Sequence, residues 1–105
     1  MAAKFPFSDL HSFKDYVVFA QTHLPDRFRP REGVGPGDQW SLELAFEGLR
    51  VGLRMAVEEE GEREEFERGR SLVEEAYAAY CEGRIRDGFF KLEEFQKLLK
   101  KVPSQ

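Results

Sequence analysis

WSLELAFEGLRVGLRMAVEEE, from Trp40 to Glu60, reads as a helix that is apolar around most of its circumference. At about 100° per residue, Glu43, Glu47, Arg50 and Arg54 fall on one narrow stripe at i, i+4, i+7 and i+11. The uncharged arc then spans roughly 240°, against about 100° for an ordinary surface helix. Leu42, Ala45, Phe46, Leu49, Leu53, Ala56 and Val57 make one side of that arc, enough for a core face. Trp40, Leu44, Val51 and Met55 make the other side, with Gly48 and Gly52 between. Two readings follow. Either the helix is central and covered all round by its own fold, or the second side faces another chain. Trp and Met suit an interface, and glycines at i, i+4 let a second helix come close.

The remainder of the chain limits what surrounds this helix. A length of 105 residues makes a single domain, and 41% hydrophobic with 34% charged residues is a globular balance. Cys81 is alone, so no internal disulfide forms, which fits a reducing compartment. The N-terminal MAAKFPFSDL lacks a continuous apolar run, so a signal peptide is not expected. Charges interrupt the long apolar stretch every three or four residues, so no membrane span is expected either. A cytoplasmic protein is the resulting expectation. The net charge of −4 is uneven: residues 58–67 carry seven Glu against Arg63, whereas 84–105 carry six basic against three acidic residues. Neither half offers the basic face that direct nucleic-acid binding needs.

Read in order, the chain predicts four helices over about 9–23, 38–60, 62–82 and 84–101, an all-α, small four-helix bundle-like domain. Ser8 and Asp9 are good caps for the first helix, whose core stripe is Leu10, Phe13, Val17, Ala20 and Leu24, widened by Tyr16 and Phe19. Pro25 stops it. The Pro/Gly-rich loop 25–39 carries Arg27, Phe28, Arg29 and Arg31. It is either a solvated crossover or an arm that packs on a partner. Asp38 is the expected cap of the second helix and Gly61 its terminator. The third helix turns Phe66, Gly69, Val73, Ala76, Tyr77 and Tyr80 inward. The fourth does so with Ile85, Phe89, Leu92, Phe95, Leu99 and Val102. The run from Ala76 to Leu99 looks like the helical hairpin of a tetratricopeptide repeat. No period recurs, so it is read as a generic antiparallel pair.

Sites for chemistry are not evident. His11 and His23 belong to no metal-ligand spacing and read as surface histidines. Cys81 reads as a small hydrophobe at the core margin. Gly33, Gly35 and Gly37 are interrupted by Pro36, follow no strand and lack a P-loop lysine. The acidic run 58–67 lacks calcium-loop spacing and reads as a solvated corner, or as docking for a basic partner. No cofactor, metal or catalytic residue is expected.

The Phe-rich start MAAKFPFSDLHSFKDY, the helix WSLELAFEGLRVGLRMA and the all-helical layout resemble the QslA-type quorum-sensing anti-activators. That resemblance implies a non-enzymatic regulator that binds the ligand-binding domain of a LuxR-type (LasR-like) transcription factor. It would block the factor's dimerisation and so keep it off DNA. The expected partner or homodimer interface is Trp40, Leu44, Gly48, Val51, Gly52 and Met55, with Arg27, Phe28, Arg29 and Arg31 as secondary contacts. The alternatives are a helical immunity or antitoxin-like protein that neutralises a toxin, or a plain homodimeric scaffold.

Overall fold

A computed structural model describes residues 5–35 and 39–103. Its four helices are α1 (Leu10–His23), α2 (Leu42–Glu60), α3 (Glu64–Cys81) and α4 (Ile85–Lys100), with no strand among the described residues. The expected all-α, bundle-like domain is what forms.

Local chemistry sets each boundary. The Asp9 carboxylate accepts from the Ser12 N–H at 2.8 Å, and Ser12 Oγ accepts from the Asp9 N–H at 3.2 Å, a reciprocal capping box. Those bonds to Ser12 hold the Asp9 carboxyl below its ordinary range. Phe7 packs edge-on against Phe13 with centroids 5.1 Å apart, fixing the entry angle of the chain. The second helix starts later than expected. Its cap is Ser41, whose Oγ accepts from the Leu44 N–H at 3.1 Å, so Trp40 lies outside the helix. Asp38, the expected cap, is outside the described residues. Gly61 ends α2 at φ +84° and Gly83 turns α3 into α4 at φ +80°, both in the left-handed region that a side chain avoids. The third helix begins two residues late, and Glu64, Glu65 and Glu67 in its first turn complement the helix dipole.

Each helix packs on two neighbours in cyclic order: α1 on α2, α2 on α3, α3 on α4, and α4 back on α1. The α3–α4 hairpin is the most extensive pair. At the centre, phenylalanines fill notches left by glycines. Phe13 lies over Gly52, where an added Cβ would overlap its ring. Phe95 lies over Gly69, where a Cβ would stand 2.7 Å from the ring. The two rings meet at 6.3 Å. The predicted α1 stripe is buried throughout, as are Leu92, Phe95, Leu99 and Val102 of the α4 stripe. Two members of that α4 stripe are not. Ile85 is 41% exposed and Phe89 37%, because α1 ends at His23 and nothing in the described chain covers the first turns of α4 on that side.

Candidate protein-binding surface

The six residues expected to form one face on α2 are divided among three places. Gly48 and Gly52 belong to the α1–α2 interface: Tyr16 occupies the space above Gly48, and Phe13 that above Gly52. Their seam is closed by the chain's own rings, which corrects its assignment to a partner. Trp40 sits in an aromatic cluster, 5.2 Å from Phe19, 5.9 Å from Tyr16 and 6.0 Å from Phe28. Leu44, Val51 and Met55 do share one stripe, half-buried against the edge of the core. Nor is α2 central in the sense of being covered on every apolar side, since it packs on α1 and α3 and not on α4.

The loop 25–35 is neither wholly solvated nor a free arm. Phe28 stacks on His23 at 5.8 Å and lies tilted against Phe19 at 5.7 Å, while the Arg31 guanidinium lies 5.1 Å from the Trp40 ring. Gln39 clasps the loop. Its Oε1 accepts from the Arg31 N–H at 2.6 Å, and its Nε2 donates to the Arg31 and Val34 carbonyls at 2.9 Å. Phe28 and Arg31 are therefore spent on their own fold, whereas Arg27 and Arg29 remain exposed. His23 is half-buried in the same cluster, with Nδ1 2.8 Å from the Phe19 carbonyl, and is not the plain surface histidine expected. Cys81 departs the other way: it is exposed rather than tucked at the core margin.

The acidic corner is partly used by the fold. Glu59 Oε1 accepts from the Leu10 N–H at 3.1 Å at the start of α1. Glu60 pairs with Arg63 at 3.5 Å and Glu62 with Arg70 at 3.1 Å.

The open apolar surface lies elsewhere. Among the described residues the exposed large hydrophobics are Val18, Ile85, Phe89 and Phe90. One is on α1 and three are on the first turns of α4. Phe89 and Phe90 meet edge-to-face at 5.7 Å, and the Arg86 guanidinium lies 5.6 Å from the Phe90 ring. Beside them runs an open groove of about 650 Å³ between the end of α1 and the start of α4. Leu24, Pro25, Ile85 and Phe89 supply apolar walls, and Arg27 and Arg86 a basic rim. The backbone under this edge is held in place. Gln21, the one buried polar residue described, donates from Nε2 to the Phe89 carbonyl at 3.3 Å. Lys14 Nζ ties the far end of α4 to α1 through the Val102 carbonyl at 2.7 Å. The sequence held a signal for this surface: adjacent phenylalanines on a helix point about 100° apart, so Phe89 and Phe90 cannot both face one core.

No family model, curated protein or solved structure matches the chain. The likeness to quorum-sensing anti-activators rests on the residues quoted for it alone. Among the described residues, no group of three or more His, Cys, Asp or Glu is suited to a metal ion, and no helix is long and apolar enough to cross a membrane.

Proposed function

We propose that this protein is a non-enzymatic regulator that binds a protein partner over the apolar edge at the start of α4 and removes it from its own self-association equilibrium. One observation carries the reading: Ile85, Phe89 and Phe90 stand open to solvent beside Arg86, on backbone anchored by Gln21. Aromatics with arginine are the residue types that interfaces favour, and a rigid platform lowers the ordering cost of binding. The partner class comes from the resemblance: the ligand-binding domain of a LuxR-type transcription factor, captured as a monomer and so kept off DNA. Inhibition of this kind needs no chemistry, only mass action. A reducing cytoplasm suits the exposed Cys81 thiol.

The test is a titration of purified LuxR-type ligand-binding domain, followed by light scattering after size exclusion. The expected result is a mixed complex that grows as the domain's own dimer disappears. Phe90→Glu should weaken capture about tenfold or more, as loss of an aromatic anchor does. No complex with any such domain would sink the partner class. Capture indifferent to Phe90→Glu would sink the surface.

A further inference from the structure

We propose that a second copy of this chain covers the open stripe of α4, with the two α4 helices antiparallel about a two-fold axis between Phe89 and Phe90. Arg86, Phe89, Phe90 and Glu93 recur at i, i+3, i+4 and i+7, one side of a helix. Three of the other charges on α4 are engaged within the chain, whereas Lys97 and Lys100, near its end, form no ion pair among the described residues. Lys91 pairs with Glu75 at 2.8 Å, Glu94 with Arg68 at 3.0 Å, and Asp87 with Arg84 at 3.0 Å. The two that flank the phenylalanine pair are not. The Arg86 guanidinium lies 5.6 Å from the Phe90 ring, and neither Arg86 nor Glu93 forms an ion pair among the described residues.

An antiparallel self-pair uses both at once. It sets Phe89 against the partner's Phe90, and Arg86 against the partner's Glu93, twice by symmetry. A parallel two-fold pair would instead set Arg86 against the partner's Arg86 and Glu93 against the partner's Glu93. Like charges face to face exclude that arrangement. The partner's Phe90 then lies over Phe89, which is a wall of the groove at the end of α1. A standard interface takes about 800 Å² from each partner, roughly an eighth of the 6510 Å² surface of this chain. This dimer covers the same Phe89 and Phe90 as the partner capture proposed above, so self-association and capture compete for one surface; sedimentation of the chain alone needs no partner and reads only the dimer. The dimer face expected on α2 moves to α4, where the apolar side chains are the more exposed.

Sedimentation equilibrium of the full chain reads it out, with circular dichroism confirming the fold of each variant. The expected species is a dimer. Arg86→Glu and Glu93→Arg alone should each weaken it about tenfold, because each places like charges together at both symmetric contacts. The double variant Arg86→Glu/Glu93→Arg should return to within about threefold of the original, and an equimolar mixture of the two single variants should form a mixed dimer of similar strength. A chain that stays monomeric at every concentration overturns the proposal. So does a dimer that ignores the single reversals, or one that the double reversal fails to restore.

Discussion

Gly52 shows how much rests on the absence of one carbon. A Cβ there would overlap the Phe13 ring, which is itself fully buried and in contact with Phe95. Alanine would gain about 1 kcal/mol in helix propensity, but overpacking of a closed core costs about 1–3 kcal/mol. Gly52→Ala should therefore lower the melting temperature, by up to about 10 °C for a net loss of up to about 2 kcal/mol, as thermal denaturation would show. Two buried tyrosines give a contrasting pair. Tyr16 donates to the Ala45 carbonyl at 3.0 Å, so Tyr16→Phe should cost about 1 kcal/mol. The Tyr80 hydroxyl has no hydrogen-bond partner among the described residues, so Tyr80→Phe should leave stability unchanged or raise it by up to about 1 kcal/mol, both variants being read by denaturant titration. Both phenols resist ionisation. Burial raises Tyr80 from 10.0 to about 12, and burial with the nearby Glu47 charge raises Tyr16 further still. The unfolded chain releases these protons near pH 10 and the folded chain does not. Their contribution is thus complete below pH 10 and lost as pH rises from there toward the folded values. Phenolate absorbance from these two residues should appear together with the collapse of helical circular dichroism, not before it.

At the scale of elements, caps and terminators place the helices more sharply than periodicity does. Ser41 supplies the cap of α2 through the Leu44 N–H. Ser41→Ala should cost about 1 kcal/mol while Ser41→Asp holds stability, read by urea unfolding. The start of α2 was misplaced at Asp38 because Asp and Ser are both good caps. The extended backbone at Ser41, which leaves Trp40 to join Phe19 and Phe28, is a tertiary outcome. The ends at Gly61 and Gly83 were legible, because only glycine adopts those positive φ angles without strain. The α1 stripe was legible for a similar reason: one clear period of apolar residues, ended by proline. For α4 the same period carried the inward assignment one turn too far, to Ile85 and Phe89. Periodicity identifies a side of a helix, but not how far along that side a neighbour extends.

The whole molecule is a flattened body of 36 × 35 × 15 Å, its thin dimension about two helix layers at the usual 8–10 Å spacing. So thin a body leaves every helix an outer face, and its cross-links lie at the surface. Arg50–Glu74 joins α2 to α3 at 2.7 Å, and Arg68–Glu94 joins α3 to α4 at 3.0 Å, with side chains 39–57% exposed. Ion pairs in such positions are screened. Raising salt from about 0.05 M to about 1 M should change the unfolding free energy by less than about 1 kcal/mol, as chemical denaturation at each salt concentration would show. By itself, the sequence determined the all-α class, the number of helices, three of the four core stripes and the turn glycines. Each depends on the residue's own backbone preference or on a repeat within one helix. Tertiary structure decided which apolar side was covered. Whether Gly48 and Gly52 open to a partner depends on where Tyr16 and Phe13 come to rest, more than thirty residues away in the chain. Whether Phe89 is core or surface depends on where α1 stops. Helical period carries no record of either neighbour, so the glycine seam expected on α2 closed, Leu44, Val51 and Met55 stayed half-buried, and the start of α4 stayed open.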